Sequence, residues 1–350
     1  MVAAINIAGR RIGPGQPCFI IAEAGVNHNG DLEIARRLVN VAAQAGADAV
    51  KFQTFKAEKV ISTRAPKAAY QVETTGSGES QLEMAKRLEL SFDSFRELRA
   101  YCEQRGILFL STPFDEESVD FLADLGVPLF KIPSGEITNF PFLVHVAQKA
   151  KPMIVSTGMS TLEEVTAAVR VIQGTGNREM VLLHCTSSYP ADPAESNLRA
   201  METMRSALGV PVGYSDHTPG IEVALAAVAL GACVIEKHFT VDRTLPGPDH
   251  RASADPRELS LLVEKIRCVE KALGDGIKRP VAGELDTRSV ARRSIVARRQ
   301  LSAGTVLTKE DVSIKRPGTG IAPEALHRVI GRKLARDVGA DQLLSWEDMK

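Results

Sequence analysis

Short β-branched runs alternate with amphipathic helical patterns from Cys18 to Gly274. Each predicted strand is followed by a segment with apolar residues at a 3.6-residue period, opened by Asp, Ser or Thr and often closed by Gly. Eight such strand–helix units predict an α/β fold, the (β/α)8 or TIM barrel, in which active sites lie at the C-terminal strand ends. A doubly wound open sheet is the alternative, although it rarely repeats so regularly. The predicted strands cover residues 18–23, 49–53, 108–112, 129–132, 152–157, 180–187, 211–216 and 234–240.

The strand–helix alternation does not continue to the end of the chain. Residues 275–293 are polar and contain Pro and Gly, and residues 294–350 have short strand patterns with hairpin signals. We therefore predict a barrel domain over 1–274 with an N-terminal hairpin at 1–17, a linker over 275–293 and a small, mostly-β domain over 294–350. A domain of about 60 residues buries only about 60% of its unfolded surface and is marginally stable alone, so we expect it to dock on the barrel or on another subunit.

Charge and composition exclude several kinds of partner. Lys plus Arg and Asp plus Glu both number 43, so no global positive field is present to hold nucleic acid. Apolar runs are shorter than the roughly 20 residues that span a bilayer, and the N-terminus lacks the pattern of a signal peptide. The 5 cysteines are scattered without a paired spacing, which is typical of reduced thiols. We expect a cytoplasmic protein with no nucleic-acid or membrane partner.

One connection is unusually long. Residues 54–90, between the second and third predicted strands, contain a polar stretch rich in Gly, Ser and Thr before a helical pattern. Loops of this length inside a compact domain are usually functional lids or disordered segments. We interpret this insertion as a substrate lid, with residues 70–80 over the site.

Polar side chains end every predicted strand. Because the C-terminal ends of barrel strands converge on one mouth, lysines with hydroxyls there predict a phosphate or carboxylate site. Asp249, on a Gly- and Pro-rich loop after the eighth strand, is placed either to bind sugar hydroxyls or to stabilise its own turn. The strand-end residues are Glu23, Lys51, Gln53, Ser111, Thr112, Lys131, Ser134, Glu136, Ser156, Thr157, Thr186, Ser187, Tyr189, Ser215, Asp216, His217, Lys237 and His238.

Two histidines and two carboxylates are the strongest candidates for chemistry. His217 and His238 end adjacent predicted strands at equivalent heights, so both imidazoles can bind one divalent metal and leave positions for water and substrate. A hydrogen-bonded core or loop residue is the alternative for either histidine. Glu23 and Glu136 are candidate general acid/base groups, or else ion-pair partners of the lysines.

The segments that contain these residues resemble the sialic acid synthase family, the phosphoenolpyruvate-condensing N-acylneuraminate synthases. The resemblance covers nearly the whole chain, and it implies that the C-terminal domain is an antifreeze-like (SAF) domain. In that family this domain reaches over the barrel of a partner subunit, which implies a domain-swapped homodimer. The matching segments are IIAEAGVNHNGD, AVKFQTF, STPFD, KIPSGEITNFP, STGMS, LLHCTSSYP, GYSDHT, EKHFT, LPGPDH and IKRPGTG.

The resemblance also implies a reaction. Phosphoenolpyruvate would condense with open-chain N-acetylmannosamine and water to give N-acetylneuraminate and phosphate. A 2,4-diacetamido-2,4,6-trideoxymannose acceptor, which gives legionaminic acid, fits the same motifs. The implied cofactor is a divalent metal on His217 and His238, with Mn²⁺ ahead of Mg²⁺ or Co²⁺.

Roles for the remaining residues follow from the same resemblance. Glu23 and Glu136 would handle protons and water, and Lys51 and Lys131 would stabilise the leaving phosphate. Family members often have Asn where this chain has Ser187, so that phosphate contact is the least secure. The implied phosphoenolpyruvate ligands are Lys51, Thr112, Lys131, Ser134, Ser156, Ser187 and Ser215. The implied sugar ligands are Gln53, Tyr189, Asp249 and Arg316.

Two other functions are compatible with parts of the pattern. A Schiff-base aldolase would use Lys131 or Lys237 as its nucleophile, and it would be trapped by borohydride rather than stopped by a chelator. A carbohydrate-binding or sensor protein on an inactive barrel is the non-enzymatic alternative. The acidic, basic and histidine residues retained together at the strand ends favour the metal-dependent condensation.

Overall fold

The computed structural model describes residues 2–350, which form two compact units. The first unit ends at Gly274 and the second spans Asp275–Lys350. The first unit is an eight-stranded parallel barrel surrounded by helices, which confirms the predicted fold class. No helix in the described part of the chain is long and apolar enough to cross a membrane.

An antiparallel hairpin of β1 (Ile5–Ile7) and β2 (Arg10–Ile12) precedes the barrel. Hydrogen-bonded barrel neighbours follow the order β5-β4-β3-β10-β9-β8-β7-β6, and the pairing of β10 with β3 carries the sheet around the ring. β5 and β6 lie side by side at the remaining position. The barrel strands are β3 (Phe19–Gly25), β4 (Ala49–Thr54), β5 (Leu108–Pro113), β6 (Phe130–Ile132), β7 (Met153–Ser156), β8 (Met180–Cys185), β9 (Val212–Asp216) and β10 (Val234–His238).

Several helices begin and end at residues that local chemistry predicts. Asp31 caps the first of them by accepting hydrogen bonds from two backbone N–H groups, and Gly46 ends it in the left-handed conformation. Thr161 and Asp255 form capping boxes with a Glu three residues later. The helices of this unit are α1 (Leu32–Ala45), α2 (Ala57–Val60), α3 (Ala69–Thr75), α4 (Gln81–Arg87), α5 (Phe92–Gln104), α6 (Glu116–Leu125), α7 (Phe140–Ala147), α8 (Leu162–Gly174), α9 (Ala200–Leu208), α10 (Glu222–Ala229) and α11 (Pro256–Leu273).

Side chains alternate between the barrel interior and the helices along every strand. One set of alternate residues packs against the helices as the main hydrophobic core. The other set fills the lower barrel interior together with the hairpin side chains, and higher up it becomes polar. The lower interior cluster contains Ile5, Ile7, Ile12, Phe19, Ile21, Ala49, Leu110, Leu129, Ile154, Val181, Leu183, Cys233 and Val234.

The insertion after β4 contains three short helices, α2, α3 and α4. Met84 from α4 and Leu88, directly after it, pack with Val26 and Phe55 in a small apolar cluster of their own. The insertion therefore has its own packed structure beside the C-terminal ends of the strands.

The second unit has its own small core. An antiparallel pair of strands, β11 and β12, lies among short helices and isolated bridges. The segment 275–293, for which the sequence predicts a linker, contains a helix of two turns with no buried side chain. The elements of this unit are α12 (Leu285–Ala291), β11 (Ser294–Ala297), β12 (Val312–Lys315) and α13 (Leu326–Val329).

Candidate active site

A cavity of ≈ 540 Å³ opens at the C-terminal ends of the barrel strands. Active sites of this fold lie at that end. Most of the site residues predicted from the sequence line this one cavity. They are Glu23, Lys51, Gln53, Thr112, Lys131, Ser134, Ser156, Ser187, Tyr189, Ser215, His217, His238 and Asp249.

The two-residue period of a strand decides which side chains reach the cavity. On β10, Glu236 and His238 line the cavity, whereas Lys237 lies between them in sequence and points the other way. The Nζ atom of Lys237 donates to Oδ2 of Asp216 at 2.7 Å on the helix-facing side of the sheet. The expectation that Lys237 and Asp216 face the mouth is therefore wrong, and so is Lys237 as a Schiff-base nucleophile.

Glu236 is the cavity residue that sequence reasoning missed. Its carboxylate lies between two lysines: Oε2 is 3.6 Å from Lys51 Nζ and Oε1 is 3.3 Å from Lys131 Nζ. Ser215 Oγ donates to Oε1 at 2.9 Å. Burial alone raises the pKa of Glu236, but Lys131 and Lys51 outweigh it and lower that pKa to about 2. The inward position of His238, two residues later, was the signal that could have found it.

Glu23 is the second buried carboxylate of the site. Its Oε2 lies 2.7 Å from Lys51 Nζ, and Gln53 Nε2 donates to its Oε1 at 3.3 Å. Burial, aided by the negative charge of Glu236, outweighs Lys51 and raises the pKa of Glu23 to about 7. A carboxyl group with a pKa near neutrality can both accept and release a proton at the working pH.

The two lysines present their ammonium groups among hydroxyls. Lys51 Nζ donates to Thr112 Oγ1 at 2.8 Å, and Lys131 Nζ donates to Ser156 Oγ at 2.7 Å. Burial raises the cost of the charged form, yet Glu23 and Glu236 outweigh it at Lys51 and raise its pKa. At Lys131, burial and the nearby Lys51 outweigh Glu236, so its pKa is lowered.

The backbone at Gly158 approaches two serine hydroxyls of the site closely. Gly158 N donates to Ser134 Oγ at 2.9 Å, and the same hydroxyl is 3.2 Å from Cys185 Sγ. A Cβ atom on Gly158 would overlap Ser187 Oγ, so a larger residue at this position would displace that hydroxyl. Ser134 and Ser187 line the same cavity as Lys131, and hydroxyls that share a cavity with an ammonium group suit an anion.

The two histidines lie close together and have ring nitrogens that could hold a metal. The Nδ1–H of His217 donates to Thr186 O at 2.7 Å, which leaves Nε2 free, and the centroids of the two rings are 5.5 Å apart. Nδ1 of His238 is buried without a hydrogen-bond partner among the described residues. Burial lowers the pKa of both imidazoles, and His217 lowers that of His238 further. Both rings are therefore neutral, the form that binds metals.

These residues fit a divalent metal that is held mainly by non-protein ligands. Within residues 2–350, no group of three or more His, Cys, Asp or Glu side chains is placed to hold a metal ion. Two imidazoles alone leave most coordination positions for water and substrate, as an open catalytic site requires.

The outer part of the cavity is aromatic and acidic. Tyr189 packs on His217 with ring centroids 4.3 Å apart, and Tyr70 from α3 stacks on Tyr189 at 5.2 Å. Asp249 is buried near both phenols, and burial raises its carboxyl pKa to about 6. A ligand that donates hydrogen bonds to this buried carboxylate would stabilise its ionised form.

Glu136 is not among the residues that line the cavity, and Arg316 is described within its own unit. Glu136 lies in the short turn Ser134–Glu136, and its carboxylate accepts a hydrogen bond from Asn139 Nδ2 at 2.7 Å. Arg316 belongs to the second unit, where its exposed side chain donates from Nε to Ala291 O at 3.1 Å. Within its own unit, Arg316 therefore bonds to a nearby backbone carbonyl.

Two strand-end hydroxyls from the wider prediction also face away from the cavity. Ser111 Oγ is 2.7 Å from Thr54 Oγ1, and Thr157 Oγ1 donates to Leu183 O at 2.9 Å. Both belong to the set of alternate residues that faces the helices, so Ser111 pairs with another hydroxyl and Thr157 with the backbone rather than with a ligand.

Two family models match this sequence. One is the NeuB family, over residues 38–278, and the other is the SAF domain, over residues 292–350. The chain belongs to the NeuB family. This confirms the resemblance drawn from the motifs and the assignment of the C-terminal segment as a SAF domain. As a NeuB-family member the chain is an enzyme, a synthase-type transferase.

Named relatives of this NeuB-family enzyme cover nearly its whole length. The N,N'-diacetyllegionaminic acid synthase of Legionella pneumophila is 51% identical over 97% of this chain and 96% of its own length. The human N-acetylneuraminate-9-phosphate synthase is 38% identical over 97% of this chain and 94% of its own. Among solved structures, N-acetylneuraminic acid synthetase from Leptospira borgpetersenii in complex with citrate is 38% identical, with a TM-score of 0.73 and coverage of 82% of this chain and 95% of that one.

Proposed function

We propose that this enzyme condenses phosphoenolpyruvate with 2,4-diacetamido-2,4,6-trideoxymannose and water to give N,N'-diacetyllegionaminic acid and phosphate. The identity of 51% to a legionaminic acid synthase, against 38% to a synthase of N-acetylneuraminate type, is the observation that carries this choice of sugar. N-acetylmannosamine, the acceptor that the sequence motifs favoured first, is the second candidate.

The cavity wall formed by the insertion supports the same choice. Its lining side chains include Val60, Ile61, Met84, Ala85 and Leu88, and none of the insertion residues that line the cavity is charged. A 6-deoxy sugar with a second acetamido group presents methyl groups where N-acetylmannosamine presents hydroxyls. Burying methyl groups against apolar side chains is favourable, whereas burying unpaired hydroxyls is costly.

Phosphoenolpyruvate is assigned to the deep end of the cavity. Lys51 and Lys131 supply positive charge there, and the hydroxyls of Thr112, Ser156 and Ser215 surround them. Charge-assisted hydrogen bonds from lysines and hydroxyls are the usual means of binding phosphate and carboxylate oxygens. The sugar would then occupy the outer part, next to Asp249 and the insertion.

The proposed cofactor is Mn²⁺, with Mg²⁺ and Co²⁺ as alternatives. His217 and His238 would hold it through ring nitrogens that the protein leaves unpaired. When bound, the metal supplies Lewis-acid polarisation of the acceptor's aldehyde oxygen.

In the proposed reaction, C3 of phosphoenolpyruvate forms a carbon–carbon bond with the aldehyde carbon, and water adds at C2. Glu23 takes one proton from this water, and a proton is returned to the former aldehyde oxygen. The bond between C2 and the phosphate oxygen then breaks, and the C2 hydroxyl gives its proton to the departing phosphate as the ketone forms. Lys51 and Lys131 stabilise the charge that accumulates on the phosphate.

We also propose that the enzyme acts as a homodimer, because the segment 275–293 exposes apolar side chains along its length. Ile277, Val281, Leu285 and Val290 are each more than half exposed in the single chain, at 63%, 63%, 53% and 65%. Runs of exposed apolar side chains mark interaction surfaces. A second copy of the chain is the partner that the family resemblance implies.

Isotope labelling tests the proposed chemistry. With phosphoenolpyruvate carrying ¹⁸O at the bridging oxygen, we expect the label in the released phosphate, because the C2–O bond breaks. A chelator should abolish turnover and added Mn²⁺ should restore it. Label in the keto acid, or a covalent adduct trapped on Lys131 by borohydride, would favour the aldolase alternative.

A further inference from the structure

A buried ion pair lies directly behind the two histidines. Asp216 is the last residue of β9 and directly precedes His217, whereas Lys237 precedes His238 within β10. Asp216 and Lys237 are partners in the register of these adjacent strands. Both side chains point away from the cavity toward the helices, where they are 1% and 4% exposed. The pair therefore joins the strand positions that immediately precede both candidate metal ligands.

The ion pair also closes the turn around His217. Lys237 Nζ donates to Asp216 Oδ2 at 2.7 Å and to Thr218 O at 2.8 Å. Asp216 Oδ1 accepts from Thr218 N at 3.0 Å and from Thr218 Oγ1 at 2.7 Å. His217 lies between these anchored residues, so its backbone cannot shift unless several buried hydrogen bonds break.

Stability alone does not explain the pair. Taking two charges out of water is costly, and apolar side chains of similar volume at such a position often give an equally or more stable protein. The hydrogen bonds of this pair join Asp216 and Thr218, the two residues that flank His217. Lys237 is itself bonded in sequence to His238. A positional role accounts for both observations.

We propose that Asp216 and Lys237 are positioning residues for the metal site, which set the spacing and orientation of His217 and His238 from the outer side of the barrel. This inference rests on the proposed function, because it presumes that the two histidines hold a divalent metal. It assigns to Lys237 a role different from the nucleophile or phosphate ligand expected from the sequence.

The test is the affinity of the purified, substrate-free protein for Mn²⁺, measured from the free-ion signal in electron paramagnetic resonance. The Asp216→Asn/Lys237→Met double variant removes both charges together, so no lone buried charge remains. We expect its Mn²⁺ dissociation constant to rise by about 10- to 100-fold, as is typical when residues supporting a metal ligand are changed. If this variant does not fold, Thr218→Val removes one hydroxyl donor and should raise the constant by about two- to tenfold.

Val212→Ala is the matched control, since Val212 is buried on the same helix-facing side of β9 but has no link to the histidines. It should lower the melting temperature and leave Mn²⁺ affinity close to that of the wild type. Wild-type affinity in the folded double variant, or in Thr218→Val if only that variant folds, would overturn the positioning role, as would an equal loss in the control.

His217→Ala and His238→Ala distinguish a failure of the proposed metal site from a failure of the positioning role. If both bind Mn²⁺ as the wild type does, the metal site itself is wrong and the positioning role fails with it. If both lose Mn²⁺ while the double variant keeps it, the metal site stands and only the role of Asp216 and Lys237 is rejected.

Discussion

The surroundings of two buried carboxyl groups in the cavity shift their pKa values in opposite directions. Glu236 lies between two lysines and has its pKa lowered to about 2, while burial raises the pKa of Glu23 to about 7. Carboxyl groups whose pKa values are pushed apart in one site can take different roles. Glu236 fixes the lysines as a permanent anion, and Glu23 is the group that can exchange protons.

Removal of Lys131 should weaken phosphoenolpyruvate binding without unfolding the barrel. Lys131→Ala deletes one charge-assisted hydrogen bond, which is worth about 1.5–3 kcal/mol, or roughly 10- to 150-fold in affinity. Titration calorimetry with phosphoenolpyruvate measures this change in affinity directly. Lys149→Ala is the control, because Lys149 forms an ion pair with Asp120 outside the cavity lining. Unchanged affinity in Lys131→Ala would remove this lysine from the phosphate site.

Asp249 should make stability depend on pH. Burial raises its pKa from 3.8 to about 6, so the folded state pays to ionise it and loses stability as pH rises through this range. Asp249→Asn removes that cost. At 1.36 kcal/mol per pKa unit, the gain in unfolding free energy should be about 1–2 kcal/mol larger at pH 8 than at pH 5. Denaturant unfolding at the two pH values measures this, and an equal gain at both would contradict the assignment.

Most of the residues around the cavity could be predicted, because polar side chains at strand ends need only the positions of the strands. Glu236 was missed and Lys237 misplaced because the expectation treated each strand end as a group of residues. Applying the two-residue period back from His238 would have placed both correctly. Glu136 depends on the local turn after β6, which strand positions do not determine.

At the scale of elements, the insertion α2–α4 supplies the wall that the proposal assigns to the sugar. Met84 is buried in this wall, whereas Lys86 on the same helix is exposed. The three helices are too short and too polar to be predicted with their bounds, and their position comes from tertiary packing on Val26 and Phe55.

Met84→Gln should change the choice of sugar. A polar side chain of similar length would face the methyl groups of the trideoxy sugar, and a single mismatched apolar contact is worth about 1–3 kcal/mol. We expect kcat/KM for the diacetamido sugar to fall about tenfold or more, with a smaller loss for N-acetylmannosamine. Steady-state phosphate release gives both values. Lys86→Gln, the exposed control, should change neither, and an equal loss for both sugars in Met84→Gln would argue against this wall as the determinant.

At the scale of the whole molecule, the active unit is proposed to include residues from two chains. The barrel and the antifreeze-like domain could each be predicted from the sequence, because each has its own strand pattern and its own apolar residues. Their arrangement in an assembly depends on surfaces, and surface residues carry little periodic signal.

Subunit exchange tests this assembly. Arg316→Ala and Lys131→Ala should each be weakly active alone, since each damages every site in its own homodimer. Mixed under exchange, they should form heterodimers in which one site has both residues intact, and activity should return. Heterodimers that form, as seen by native mass spectrometry, but are no more active than their parents would show that Arg316 does not act in the partner's site.

A competition assay tests the central claim most directly. The purified enzyme with Mn²⁺ and limiting phosphoenolpyruvate is offered 2,4-diacetamido-2,4,6-trideoxymannose and N-acetylmannosamine at equal concentration, and the two nine-carbon products are counted by mass spectrometry. Because the product ratio equals the ratio of kcat/KM values, we predict at least about a tenfold excess of N,N'-diacetyllegionaminic acid, released with one equivalent of phosphate. An excess of N-acetylneuraminate, or phosphate release without either product, would contradict the account.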